Sequence, residues 1–315
     1  RYVYIDLIEN ENIILNQDVL IKTISQLTDI IKKKDNEIDS LKEELNNYKT
    51  LYDKVDNSYD NFNIENKKPI HKLKSHSGSV LCSTILKDGR FATGSEDNSI
   101  IIYNNKTFKP ELKIKEHKSD VSCILQLSTG AVVSCSYDQT IKIYYINGNK
   151  YKVLQTLSHH KSYVNKIIEL RNKKLVSCSC DKSIIFYNND NNNEYKKEYS
   201  FNTNGDNGPI LQIKDNEICY QDYNNKSSIC FYNLSERKTI NVINNINIIT
   251  CIYDSLLMLD KDLLLVTGFN EFSIIDVNSH NLIKTIDVSD SGSICVACLI
   301  NKNILLTGDS NKRII

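Results

Sequence analysis

Three histidines, His76, His117 and His160, stand 41 and 43 residues apart. Each is followed at +19 by a serine (Ser95, Ser136, Ser179) and at +21 by an aspartate (Asp97, Asp138, Asp181). Imidazole, hydroxyl and carboxylate are the parts of a hydrolase triad, in which the carboxylate orients the ring and the ring takes the hydroxyl proton. Three copies at one spacing argue against that use, because an enzyme needs the set once and no nucleophile elbow accompanies any copy. Cys295-x-x-Cys298 has the spacing of a zinc or thiol-redox motif. It sits in a strand-like run, where residues three apart point to opposite faces, and no second cysteine pair or nearby histidine completes a tetrahedron. Cys178 and Cys180 share a face and read as packing, with Cys180 towards the rim. No glycine-rich phosphate loop and no paired carboxylates at a useful spacing occur. The residues predict no catalytic site, no metal and no cofactor.

The elements that would position these groups are strands. Each histidine is also followed at +4 by Val80, Val121 or Val164, and each aspartate at +6 by Tyr103, Tyr144 or Tyr187. Between these fixed points run short apolar or alternating segments: SVLCSTIL, RFATGS and SIIIYN in the first unit, DVSCILQL, AVVSCS and TIKIYYI in the second, YVNKIIEL, KLVSCS and SIIFYN in the third. A fourth run, such as ELKIKE or KVLQTL, precedes the next histidine. Four strands per unit of about 40 residues is the pattern of a propeller blade. Three further units start near Gly208, Ile248 and Ser293. They keep the apolar pattern without the histidine, so they are expected to open more easily than the first three. The stretch NNDNNNEYKKEY from Asn188 reads as a polar insertion at a blade edge.

The phrases HSGSV…ATGSEDNSIIIYN and HKSDV…VVSCSYDQTIKIYY resemble the repeats of the WD40 family. The resemblance implies an all-β propeller over residues 69–315, with about six blades present and seven in the full-length protein. One more blade period would add about 45 residues. The strand before the first unit, about Ile70 to Lys74, would complete the last blade. The resemblance also implies a buried tetrad in each of three blades: His76, Ser95, Asp97 with Tyr103; His117, Ser136, Asp138 with Tyr144; His160, Ser179, Asp181 with Tyr187. The family places tryptophan where these tyrosines stand, and this chain has no Trp. Partners of the family dock on the face that carries the aspartate turns. The residues mapped to it are Ser79, Leu81 and Glu96, then Asp120, Ser122 and Tyr137, then Tyr163, Asn165 and Cys180, with Tyr137 and Tyr163 as anchors.

Residues 1–58 read differently. Ile24, Ile31, Ile38, Leu45 and Tyr52 form one heptad series, and Leu20, Leu27, Leu41, Tyr48 and Val55 the other, broken only by Lys34. Isoleucine in the first series and leucine in the second predict a parallel two-stranded coiled coil, hence a homodimer. Glu37 can meet Lys42 of a partner helix and Glu44 can meet Lys49. Residues 59–68 form a polar linker.

The 315 residues balance 39 Lys and Arg against 39 Asp and Glu. That neutrality disfavours nucleic acid as the partner. No apolar run reaches the length of a membrane span. The ten cysteines are dispersed, and most sit in strand-like runs (Cys82, Cys123, Cys135, Cys219, Cys230, Cys251), which predicts reduced thiols and the cytoplasm, or the nucleus. A chain that begins at Arg1 and stops in an apolar run reads as a piece of a longer protein. The expected function is a non-enzymatic scaffold or adaptor for other proteins. Its rivals are the substrate receptor of a ubiquitin ligase, and a trafficking, autophagy or cytoskeletal adaptor.

Overall fold

The computed structural model describes residues 73–189, 194–223, 228–244, 246, 256–267 and 271–287, and the backbone of two strands at 294–301 and 304–309. The heptad segment, the linker and most of Ile70–Lys74 lie outside the described residues.

The first blade is β1 (Val80–Ile85), β2 (Phe91–Ser95), β3 (Ile100–Tyr103) and β4 (Pro110–Ile114). The second is β5 (Val121–Gln126), β6 (Val132–Ser136), β7 (Ile141–Asn147) and β8 (Lys150–Leu157). The third is β9 (Val164–Glu169), β10 (Leu175–Ser179), β11 (Ser183–Asn189) and β12 (Tyr195–Asn202). The fourth is β13 (Asp206–Lys214), β14 (Glu217–Tyr223), β15 (Ser228–Asn233) and β16 (Lys238–Asn244). The fifth is β17 (Leu256–Asp260), β18 (Leu263–Thr267), β19 (Glu271–Asp276) and β20 (Asn281–Asp287), and β21 (Ile294–Asn301) pairs with β22 (Ile304–Asp309). Each four-stranded sheet is antiparallel, and its strands are neighbours in chain order. The first strand of each blade packs against the first strand of the next, which is the arrangement of a WD40-like propeller.

Sequence pattern explains which strands go inside. The second strands, FATGS, VVSCS and LVSCS, are buried along their whole length and carry only small or apolar side chains. The fourth strands alternate: β8, KYKVLQTL, exposes every second residue. The core therefore lies between successive sheets rather than within one. Ala92, Ile100 and Ile102 of the first blade meet Val121, Ile124 and Val132 of the second. Val133, Ile141 and Ile143 meet Val164, Ile167 and Leu175 in the same way. Burying these faces is the main favourable term, at about 25 cal/mol per Å² of apolar surface.

Part of the segment from Asn188 is not the expected polar insertion. Residues Tyr195–Asn202 form β12, paired with β11 from Ser183↔Asn202 to Asn189↔Tyr195. Tyr195 is buried, and the Tyr199 ring stacks on Phe186 at 4.3 Å. The asparagines hide this strand, whose tyrosines at 195 and 199 supply the apolar surface.

Candidate functional site: a docking face above buried histidine–aspartate pairs

The end of each early blade is closed by a histidine that enters just before the first strand. Its Nδ1 lies 3.0 Å from Asp97 in the first blade, 2.8 Å from Asp138 in the second and 2.9 Å from Asp181 in the third. Carboxylates only accept here, so Nδ1–H donates and Nε2 is left to accept. Nε2 meets a hydroxyl: Thr93 Oγ1 at 2.8 Å, Ser134 Oγ at 2.7 Å and Ser177 Oγ at 2.7 Å. Backbone N–H groups of Ser77, Lys118 and Lys161, one residue after each histidine, also donate to the carboxylates. Two residues after each aspartate, Ser99, Thr140 and Ser183 donate to it both by N–H and by hydroxyl.

The expected serines are not the imidazole partners. Ser95, Ser136 and Ser179 accept the N–H of Asp97, Asp138 and Asp181 at 3.1, 3.0 and 3.0 Å, and so tie the turn that presents the carboxylate. Offsets +17 and +19 lie on one face of the same strand, so alternation cannot separate them. The residue nearer the strand end reaches the turn, and the one before it reaches the ring. A hydroxyl at +17 in all three units was the available signal.

Tyr103, Tyr144 and Tyr187 are fully buried. The Tyr144 hydroxyl lies 3.4 Å from Ser134 Oγ, and the Tyr103 ring stacks on Phe91 at 4.9 Å. Burial pushes the Tyr187 phenol up to about 12. It lowers the His76 imidazole, against the opposing pull of Asp97. Burial alone would raise Asp138, but hydrogen bonds from His117, Thr140 and the Lys118 N–H outweigh it and hold the carboxyl well below the usual range. The histidine side chains are 4%, 1% and 1% exposed, so no substrate could reach them. The arrangement fastens; it does not react.

Above these fasteners, backbone bonds join the residue three after each histidine to the one before each aspartate: Ser79 with Glu96, Asp120 with Tyr137, Tyr163 with Cys180. Tyr137 of the second blade stacks on Tyr163 of the third, with centroids 4.7 Å apart, and Tyr163 is 51% exposed. Leu81 and Ser79 are half-buried and Glu96 is exposed. Ser122 and Asn165 do not face solvent as expected. They are 6% and 2% exposed, and their side chains meet the carbonyls of Val164 and Asn207 on the next blade, each at 2.5 Å. A bulge between Val121 and Cys123 turns Ser122 inward. Cys180 is half-buried and accepts from Asn165 Nδ2 at 3.2 Å.

Residues 67–104, 108–145 and 151–188 match the family model described as WD domain, G-beta repeat. The chain carries WD40 repeats. No curated protein matches it. A chain in the crystal structure of a mitotic checkpoint complex is similar with a TM-score of 0.66 at 17% identity, over 77% of this chain and 75% of that one. That likeness is one of fold. The three matched WD40 units are the three that hold the histidine–aspartate pair, and the four-stranded pattern continues past them without it.

The fourth blade shows what anchoring on the histidine missed. Asn165 bonds the Asn207 carbonyl as Ser122 bonds that of Val164, so Asn207 stands where Val164 does in its WD40 unit. Four residues earlier, Thr203 replaces the histidine. Val164 pairs with Ser179 and Asn207 pairs with Asp222, so Asp222 takes the turn-tying serine's place. Asp206 and Tyr223, directly paired, then correspond to Tyr163 and Cys180.

Burial disfavours the thiolate at Cys135, Cys178, Cys180, Cys219 and Cys230. Burial pushes Cys178 far up, and its Sγ meets the Gly208 carbonyl at 2.7 Å; Cys230 is pushed to about 12. Among the described residues no three His, Cys, Asp or Glu are placed to hold a metal ion, and no helix is long and apolar enough to cross a membrane. Cys295 and Cys298 lie on β21, and Cys251 lies outside the described residues.

Proposed function

We propose that this chain is a non-enzymatic scaffold that binds protein partners on the face bearing Tyr137 and Tyr163. The observation that carries this reading is the stacked tyrosine pair that bridges two blades, Tyr163 exposed and Tyr137 half-buried, at the end whose histidine–aspartate pairs are sealed from substrate. Large rings held rigid lose little freedom on binding, which suits them as anchors. Affinity purification from the source cell tests it. Wild type should recover partners that the Tyr137→Ala, Tyr163→Ala double variant loses, with an unchanged melting temperature. Equal recovery by both would remove the face.

The reading extends to residues outside the described ones. Residues 1–58 form a parallel coiled coil, joined by the linker at 59–68 to the propeller at 69–315, and two tethered faces gain affinity for a multivalent partner by effective concentration. Light scattering of the full chain should give twice its 36.1 kDa, and Ile31→Lys with Leu41→Lys should return it to monomer. A monomeric wild type refutes the coil and leaves the docking face standing. The buried thiols of Cys135, Cys178, Cys219 and Cys230, none of them in a disulfide, support a reducing compartment, the cytosol or nucleus.

A further inference from the structure

Four successive blades present corresponding positions at the docking end, and their side chains form a pattern. The arc runs Ser79, Glu96, Asp120, Tyr137, Tyr163, Cys180, Asp206, Tyr223: three acids and three phenols among eight positions, with no lysine or arginine. The lysines at this end lie off the arc: Lys118, Lys161 and Lys182 follow the histidines and Asp181, and the Lys113 ammonium reaches Asp97 at 3.4 Å.

Several of these groups are held in place by their neighbours. Tyr137 and Tyr163 brace each other. The Tyr223 ring lies against β13 because Gly208 has no Cβ there; one would sit 2.6 Å from the ring. The Tyr223 hydroxyl donates to Gln221 Oε1 at 2.9 Å, which fixes its tip. The Glu96 carboxylate is oriented by the Ser79 N–H at 3.1 Å and keeps a second oxygen for a ligand. The Asp120 carboxylate makes no hydrogen bond or ion pair among the described residues, and Asp206 is exposed and likewise makes none.

Carboxylates interleaved with aromatic faces suit one cation above others. A guanidinium can take a carboxylate with two parallel N–H bonds while its plane stacks on a phenol; an ammonium gives only the point charge. Phosphate-bearing partners are repelled by the same three acids. We propose that this arc receives an arginine-rich extended segment of a partner protein. The proposal rests on the docking face proposed above and adds the chemistry of its partner.

The test is fluorescence anisotropy on the full chain with a labelled peptide of alternating glycine and arginine, at about 50 mM salt to limit screening. Binding is expected, with a lysine version weaker and a glutamate version silent. Asp120→Asn with Asp206→Asn should weaken the arginine peptide about tenfold. Asp215→Asn with Asp260→Asn removes the same charge from the β13–β14 turn and the end of β17, and should change it less than about twofold. No binding of the arginine peptide overturns the proposal. So does equal weakening by the two double variants, which would mean attraction without a site. If the tyrosine variants still lose cellular partners while the peptide ignores Asp120→Asn and Asp206→Asn, the docking face stands and the basic partner falls.

Discussion

Asp138→Ala is expected to lower the unfolding free energy by about 3–5 kcal/mol, the cost of removing one member of a buried charged network. The Asp138 side chain is 7% exposed and accepts from His117 Nδ1, the Lys118 N–H, the Thr140 N–H and the Thr140 hydroxyl. Alanine leaves these donors facing each other in a site with little access to water, and the His117 ring loses the group that fixes its tautomer. Urea denaturation of wild type and variant at pH 7 measures the difference. A loss below about 1 kcal/mol would mean that the carboxylate is not what fastens the turn. The pH dependence has a definite sign. The folded carboxyl is held below its ordinary 3.8, so its stabilisation is complete above that value and is withdrawn as pH falls below it. His76 is lowered from 6.5 by burial, so its contribution is complete above 6.5 and begins to fade as pH drops through that value, before the aspartates respond. Wild type should therefore lose stability in two steps on acidification, and the first step should be smaller in His76→Gln, where His159, also lowered by burial, remains to respond in that range.

The strands were legible because a period of two and a repeat of about 40 residues are both written in side-chain type, and burial follows type. The histidine–aspartate spacing was legible because both residues sit at turns, where position along the chain fixes position in space. The hydroxyl partner was not, since +17 and +19 share a face and only the depth of the ring decides between Thr93 and Ser95. Ser122 and Asn165 were misplaced for a related reason. Offset +5 alternates outward in a regular strand, but the bulge at β5 turns Ser122 towards the neighbouring blade, and Asn165 is likewise drawn to the next blade's backbone. In the fourth blade the anchor itself is absent, so Asp206 and Tyr223 could be aligned only through an inter-blade hydrogen bond that no linear spacing encodes. The stacked tyrosine pair lies between. Its residues were found by offset, but their contact depends on how two separate sheets are set beside each other.

The fourth blade also reverses the sign of an aspartate substitution. Asp222 stands where the earlier blades carry Ser95, Ser136 and Ser179, and it is 2% exposed. One carboxylate oxygen accepts the Asn204 N–H at 3.1 Å; the other, Oδ1, has no hydrogen-bond partner among the described residues, nor has Oδ1 of Asn207, the residue directly across the ladder. With no histidine to donate, burial raises the Asp222 carboxyl above 3.8 despite the backbone N–H groups of Asn204 and Gly205. A raised folded value means that its ionised form at pH 7 costs stability, a cost that disappears as pH falls below 3.8. Asp222→Asn keeps an oxygen for those N–H groups and adds an amide donor beside Asn207 Oδ1. It should gain about 1–3 kcal/mol at pH 7, the range for satisfying a buried polar group, where Asp138→Asn should lose a similar amount. The gain should shrink as pH falls towards 3.8, because the raised wild-type carboxyl takes up its proton before an ordinary one would. Paired urea titrations at pH 7 and pH 4 decide the matter. A gain that does not depend on pH would trace to packing, and a loss at both would show that the Asp222 charge serves the fold as the charge of Asp138 does.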